Sequence, residues 1–509
     1  MSYSVSNKRI AKNTLMLYFR QILVMLVSLY TVRVVLGILG VEDYGIYNVV
    51  GGVILMISFL NRAMTQATQR FLNFAMGKND AEQVRNVFSV SFIIHILIAL
   101  LVIVLAETVG LWIFYNLLHI PVGRQTAALV VYHFSVIATV IGIVRIPFDA
   151  TIIAYEKMSF FAMISIVEVL LKLSIVFLLP IILFDKLIVY AFLIAVVGLV
   201  LFFLYKIYCN RIFETVHFRY CKDKKLFRQL AGFSGWSVFG SFAEVSRSHG
   251  TNILINIFHG VTVNAAMGIA DQVNTAVYNF VSNFQTAFRP QIIKSYAAKE
   301  YDSFMKLIFR TSKISFFLLF CFVLPICINA DFVLQLWLKN VPDYSIVFTR
   351  LMLIFSLEAA LVGPLITSIQ ATGNIKKYQL VISCFVFANL PVSLLFLWLG
   401  FSPEWVLFIK IGLYAAGFVW RLFFLRGLIN FPVISFLREV IVPVLIITVT
   451  SSLITIFLAE FFMIWTKLIF SCIVSTFCIT CLTYWIGINT HEKTLLKKWI
   501  QARINTKTN

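Results

Sequence analysis

The sequence predicts an all-α polytopic membrane protein, and two observations support that fold class. Hydrophobic residues make up 61% of the 509 residues and charged residues only 13%, whereas about 25% of a soluble domain is charged. Apolar stretches of about 20 residues, the length that crosses a bilayer as a helix, recur along the whole chain. The strands of a membrane β-barrel would instead be about 10 residues long with alternating polarity. A bundle of transmembrane helices is therefore expected.

The apolar stretches predict fourteen transmembrane helices with the N and C termini in the cytoplasm. Segments on the predicted cytoplasmic side hold most of the 42 basic residues, as the positive-inside rule requires. The opposite loops hold only Arg124, Lys186, Lys339 and Lys467. A miscounted helix would invert every later loop and destroy this alternation. The predicted spans are 14–38, 45–66, 86–115, 126–146, 159–182, 187–208, 233–257, 262–287, 306–329, 345–370, 378–400, 404–425, 439–460 and 463–487.

The formal net charge of +20 follows from the same asymmetry. Basic loops on the inner face meet the anionic headgroups of the cytoplasmic leaflet. The charge therefore predicts membrane lipids as partners, and nucleic acid is not needed to explain it.

An internal repeat divides the chain into two similar halves. The segments that begin at Gly40 and Gly260 both open with Gly-Val, become polar toward the inner end, and finish in a turn with lysine and an acidic residue. Six intervening helices make the two halves parallel repeats, related by an axis along the membrane normal. We expect two pseudo-symmetric six-helix lobes. The predicted divisions are an N-terminal lobe 1–208, an amphipathic cytoplasmic linker 209–232, a C-terminal lobe 233–430, an extra helix pair 431–487 and a cytoplasmic tail 488–509.

Charged residues inside the spans mark candidate functional positions. Arg20 and Arg33 lie in the first span, where an arginine at mid-bilayer costs about 2.5–3.5 kcal/mol and usually faces protein or water. Arg33 has the alternative of reaching the outer headgroups with its long side chain. Polar side chains recur at helical spacing in the first two spans of each half, which is typical of helices that line a cavity. Glu168 and Lys172 are predicted to form an i,i+4 pair, and Lys410 could face a cavity of the second lobe.

Two short motifs carry a resemblance to a known family. The stretch 12–52, with the turn Leu-Gly-Val-Glu-Asp-Tyr-Gly at 39–45, and the Ala-Thr-Gly-Asn turn at 371–374 resemble bacterial polysaccharide flippases. These belong to the multidrug/oligosaccharidyl-lipid/polysaccharide superfamily. The resemblance implies a transporter of the bacterial cytoplasmic membrane. It would move polyprenyl-diphosphate-linked oligosaccharides to the outer leaflet by alternating access, with a polysaccharide polymerase and glycosyltransferases as further partners.

That substrate chemistry selects candidate residues. Arginine binds phosphate through its fork of donors, so Arg20, Arg62 and Arg247 are expected to hold the diphosphate. Amide side chains suit sugar hydroxyls, and the candidates for these contacts are Gln21, Asn61, Gln66, Asn252 and Asn279. Glu244 and Asp271 are candidates for coupling to H⁺ or Na⁺, with an internal salt bridge to Arg247 as the alternative. No catalytic residue, metal or other cofactor is expected.

Rival functions predict other sequence features. A cation-coupled multidrug antiporter of the same fold is expected to use acidic residues in its first lobe, whereas span one carries arginines and no carboxylate. A membrane enzyme needs a convergent catalytic cluster, and the sequence shows neither a metal-spaced His/Cys set nor a phosphate-binding loop. A purely structural scaffold would leave the charges within the spans unexplained.

Overall fold

The computed structural model describes residues 16–27, single residues between 30 and 47, and residues 59–116, 120–219, 223–338, 341–462 and 464–487. This part of the chain is helical, and no strand occurs in it. The helices are α1 (Met16–Val27), α2 (Phe59–Gly77), α3 (Ala81–Asn116), α4 (Gln125–Ala154), α5 (Met158–Ile181), α6 (Lys186–Ile212), α7 (Lys224–Ala297), α8 (Tyr301–Ile328), α9 (Ala330–Trp337), α10 (Ser345–Thr372), α11 (Lys376–Trp398), α12 (Trp405–Ile429), α13 (Val433–Ala459) and α14 (Trp465–Ile486).

Ten of these helices, α3–α6, α8 and α10–α14, are long and apolar enough to cross a membrane. They coincide with predicted spans three to six and nine to fourteen. The chain is therefore a multi-pass membrane protein, as predicted. Most of predicted span two and much of span one, including Arg33, lie outside the described residues.

Predicted spans seven and eight fall in the 74-residue run α7. Gly260 separates them, since its φ of 80° and ψ of −177° depart from helical values. This run is not among the helices that are apolar enough to cross a membrane by composition, because polar residues recur along it. A glycine suits this position because the left-handed φ carries no Cβ penalty.

Two helices extend well past their predicted ends. Span four was expected to stop at 146, before Pro147, yet α4 continues to Ala154. Proline is tolerated in membrane helices because neighbouring groups satisfy the freed backbone. Arg145 thus lies well inside α4 and not at its end. In the same way α12 extends to Ile429, and Arg421 is buried within it. The linker 209–232 is not a single helix, because α6 ends at Ile212 and α7 begins at Lys224.

The described chain forms two compact units. The first contains the described residues up to Val245, with Thr286–Glu300 and Gln370–Leu380, and the second contains Ser246–Gln285, Tyr301–Ile369 and the described residues from Val381. The first unit has an apolar cluster centred on Tyr132, whose hydroxyl donates to the Ala106 carbonyl at 2.7 Å. The second has a cluster centred on Phe348 and Leu397. Each unit thus has its own core.

The internal repeat is visible in backbone geometry. Gly40 and Gly260, 220 positions apart, have φ values of 79° and 80°. Asn79 and Lys299 have the same offset, and both are left-handed, with φ values of 56° and 60°. The hydrogen bonds of their turns also match: the amides of residues 79 and 299 donate to the carbonyls of residues 76 and 296. Equivalent helix ends therefore recur where the sequence repeat predicts them.

Candidate functional site

A cluster of charged side chains lies inside the helices of the first unit. This first charge cluster consists of Arg20, Arg145, Asp149, Glu168 and Lys172. Arg145 Nε donates to Asp149 Oδ2 at 3.3 Å, and Lys172 Nζ donates to Glu168 Oε1 at 2.6 Å. The predicted pair of Glu168 and Lys172 is thereby confirmed. With three cations and two carboxylates, the first charge cluster carries one net positive charge.

Arg20 is held by a neighbouring helix. Its Nη1 lies 3.5 Å from Ser165 Oγ on α5, and its guanidinium lies 5.1 Å from the centroid of the Phe161 ring. Glu168 on the same helix attracts it electrostatically. The guanidinium is therefore directed at protein, which agrees with the expectation that Arg20 is sheltered.

Three charged residues lie within helices of the second unit, and we call them together the second charge cluster: Glu358, Lys410 and Arg421. Lys410 Nζ lies 3.2 Å from Met352 Sδ and 3.9 Å from the centroid of the Phe355 ring. The Arg421 guanidinium lies over the Tyr414 ring, and it attracts the Glu358 carboxylate. Two cations and one carboxylate again give one net positive charge. Charge at membrane depth is costly and is typical of transport pathways.

The other predicted site residues have varied surroundings. Gln66 accepts a hydrogen bond from Gln370 Nε2 at 3.2 Å, whereas Arg20 contacts α5. Arg247 is buried with 7% exposure, and Glu244 is exposed. Of the remaining six candidates, Asn61 and Arg62 have side chains outside the described residues, and Gln21, Asn252, Asn279 and Asp271 are half-buried.

Arg70 connects two helices that are 300 residues apart in the chain. Its Nε and Nη2 donate to the carbonyls of Gln370 and Ala371, both at 3.1 Å. These carbonyls belong to the last turn of α10, where the intrahelical donors run out. Arg70 is only 6% exposed, and it packs against the rings of Phe71 and Phe74. We call this contact the α10 latch.

A second connection joins the end of α4 to the end of α7. The Glu156 carboxylate accepts from Gln291 Nε2 at 2.9 Å and from Lys294 Nζ at 2.8 Å. Glu156 is 5% exposed and left-handed, with φ of 59°. The turn at Glu156 resembles the turn at Gly373 after α10. In each turn the amide of the named residue donates to the carbonyl of the residue three positions earlier. We call this contact the α4 latch.

The two latches are related by the repeat. In the α10 latch the end of α2 holds the turn after α10, and in the α4 latch the end of α7 holds the turn after α4. Between them Gly77 meets Ala297, its equivalent 220 positions later: a Cβ on Gly77 would lie 2.6 Å from Ala297 Cβ. All of these residues belong to the first unit. Equivalent positions of the repeat, 77 and 297, thus lie in contact within the first unit.

Sequence reasoning missed most of these residues. Arg145 and Arg421 lie near the inner ends of predicted spans four and twelve, and they were counted with the basic residues of the cytoplasmic side. Arg70, Glu156 and Lys294 read as ordinary cytoplasmic residues, because nothing local shows which distant backbone or side chain they meet. The one available signal was the repeat itself, which placed the ends of α2 and α7 in equivalent positions. Among the described residues, no group of His, Cys, Asp and Glu could hold a metal ion.

Comparison with known proteins identifies the fold through structure alone. No protein-family model matches the sequence, and no curated protein does. A crystal structure of a MATE mutant matches with a TM-score of 0.73 at 13% identity, over 83% of this chain and 97% of that one. An outward-facing multidrug resistance MATE family transporter of the MOP superfamily matches with a TM-score of 0.71 at 13% identity, with the same coverage.

A third match is a MOP superfamily transporter from Pyrococcus furiosus. It has a TM-score of 0.70 at 13% identity, over 83% of this chain and 96% of that one, and it is described as having a binding pocket of reverse polarity that suggests a different function. The three matches cover nearly the full length of the solved chains and agree in fold. The chain is therefore a multi-pass membrane protein with the fold of the MATE transporters of the MOP superfamily.

Proposed function

We propose that this protein is a flippase that moves polyprenyl-diphosphate-linked oligosaccharides across the bacterial cytoplasmic membrane for surface polysaccharide synthesis. The observation that carries the proposal is the net positive charge of both charge clusters inside a transporter fold. A diphosphate is attracted to such a site, because charge interactions are strong where the surroundings exclude water. An organic cation would be repelled.

The proposal includes the topology predicted from sequence. Fourteen spans would place both termini and both latches at the cytoplasmic face, with two six-helix lobes related by the repeat. Alternating access then requires the α4 and α10 latches to break whenever the inner end opens. The substrate head would meet Arg20, while the polyprenyl tail stays in lipid.

A second candidate is a cation-coupled multidrug antiporter. The observation in its favour is the multidrug resistance function named for one of the similar structures. The positive charge clusters count against it. The Pyrococcus furiosus protein, with its reversed pocket polarity, gives a precedent for this fold serving another function.

The test compares surface glycan in a deletion strain complemented with wild-type protein, Arg20→Ala or Arg211→Ala. Arg20→Ala removes a sheltered cation, and we expect surface polysaccharide to fall at least tenfold at matched protein level. Arg211→Ala removes an exposed arginine at the end of α6 and should have no effect. Wild-type glycan in the Arg20→Ala strain would contradict the assigned site. Unchanged glycan in the deletion strain, with increased drug sensitivity, would instead favour the antiporter.

A further inference from the structure

The first unit contains a polar cavity that is lined by none of the residues of the two charge clusters. Its volume is about 890 Å³, and it lies where the end of α2 meets the first turns of α3, α7 and α11. The floor is aromatic and includes Phe74 and Trp236, and the rim is basic. Cavities of this size are typical of small-ligand sites.

Four exposed cations surround the opening: Lys78, Lys225, Arg228 and Lys376. Two of them are placed by aromatic rings, since Lys78 Nζ lies 4.6 Å from the Phe74 centroid and Lys376 Nζ lies 5.6 Å from the Trp236 centroid. Such cation–π contacts keep the ammonium groups at the edge of the cavity.

Three carboxylates also line the cavity, but two of them are engaged by backbone amides. Asp80 accepts from the amide of Gln83 at 2.8 Å, and Asp223 accepts from the amide of Leu226 at 2.9 Å. Both therefore cap the helices that they precede. Glu82 is the third. The balance of charge around the opening favours an anion.

An apolar path leads away from this cavity along α7. Trp236 lines the cavity and packs edge-on against Phe239, with ring centroids 6.0 Å apart. Phe239 is 36% exposed and Phe242 is 50% exposed. At spacings of three residues these side chains follow one side of the helix. An anionic head in the cavity would thus have an apolar surface beside it for a hydrocarbon chain.

We propose that this cavity binds the headgroup of an anionic phospholipid of the cytoplasmic leaflet. Basic pockets between the cytoplasmic ends of membrane helices recognise such headgroups in general. The lysines and Arg228 would contact the phosphate, and Gln83 and Asn86, which also line the cavity, suit the glycerol hydroxyls. This site is separate from the charge clusters and does not depend on what the protein transports.

The experiment measures lipid binding to the full-length protein in detergent, using fluorescent phosphatidylglycerol, phosphatidylcholine of the same chain length, and free glycerol phosphate as competitor. We expect phosphatidylglycerol to bind at least tenfold more tightly than phosphatidylcholine. Lys376→Gln should weaken that binding about fivefold, the factor for one neutralised basic side chain near a membrane surface. Lys377→Gln is the matched control, because Lys377 is the adjacent exposed lysine of α11 and does not line the cavity.

The double variant Lys78→Gln/Lys376→Gln should lose about 25-fold in affinity. Both residues are exposed, so the thermal unfolding midpoint without lipid should match that of the wild type. Equal binding of the two phospholipids would overturn the proposal, as would equal losses for Lys376→Gln and Lys377→Gln. Competition by glycerol phosphate as strong as that by phosphatidylglycerol would identify a site for soluble phosphates and would also overturn it.

Discussion

The α4 latch gives the sharpest prediction about conformational change. Replacing Glu156 by glutamine removes the negative charge and keeps the shape of the side chain. The left-handed backbone conformation at this position is the same in both proteins. Gln291 can still donate to the new amide oxygen, whereas Lys294 loses its carboxylate partner. The substitution therefore isolates the ionic part of the latch.

The expected cost follows from burial. Breaking a fully buried ion pair by removing one partner costs about 3–5 kcal/mol. The Glu156 side chain is 1% exposed and that of Lys294 is 24% exposed, so some charge on the lysine remains solvated. We expect a cost of about 2–3 kcal/mol to the latched state, below the figure for a fully buried pair. That cost shifts the ratio of latched to open molecules by about 30- to 150-fold.

The assay is a distance measurement by pulsed electron paramagnetic resonance. Spin labels replace the exposed Lys157 and Lys299 in a cysteine-free background, since these positions flank the α4 latch and are solvent-exposed. The parent protein should give one short distance. Glu156→Gln should add a second, longer distance as the major population.

The control is Glu214→Gln, which neutralises an exposed carboxylate after α6. It should leave the distance distribution unchanged. If Glu156→Gln also leaves the distribution unchanged, and the labelled protein is folded, the α4 latch does not hold this end closed and the reasoning is refuted.

Two further predictions concern a close helix contact and a pH-dependent contact. Gly77→Ala should push α2 away from Ala297, because the added Cβ would lie 2.6 Å from the Ala297 Cβ. We expect the thermal unfolding midpoint of this variant to be several degrees lower than that of the wild type. Gly142→Ala is the control: a Cβ there meets nothing within 4 Å, so this variant should be neutral or stabilising. Arg124 donates to Asp185 ahead of α6. Burial alone raises the pKa of Asp185, but the Arg124 hydrogen bond and nearby backbone amides lower it overall. The contribution of Asp185 to stability is therefore complete above its unfolded pKa of about 3.9 and is lost as pH falls through the lower folded pKa. Unfolding midpoints measured from pH 6 to pH 3 should show this loss, and Asp185→Asn should remove that component; an identical pH profile in the variant would rule it out.

The helix positions were largely predictable because hydrophobic length is a local property. Ten predicted spans coincide with ten described helices, and the repeat anticipated the matching turns at Asn79 and Lys299. The errors lie at helix ends. Span four was predicted to end at 146, although a membrane helix continues past a proline such as Pro147 where neighbouring groups satisfy the backbone. Arg145, one residue before that predicted end, was counted with the cytoplasmic residues and not as a buried charge.

The sequence predicted the type of candidate site, sheltered positive charge, but not most of the residues that form it. Sheltered positive charge was expected at Arg20, and the described contacts agree with it. Lys410 of the second charge cluster was recognised as a charge within a span, whereas Arg421 was counted with the cytoplasmic residues although predicted span twelve includes it. The partners of Arg70 and Glu156 could not be predicted, because they lie 135 to 300 positions away and no local pattern selects them.

The sequence by itself determined that the chain crosses a membrane repeatedly, and it determined where most crossings lie. The bilayer sets the length and apolarity of each crossing, because a helix needs about 20 apolar residues to span it, independently of the other helices. Only the tertiary structure decided which charges meet inside the helices and which helix ends are latched together. Those pairings depend on how helices pack, and packing brings together groups that share no neighbourhood in the chain.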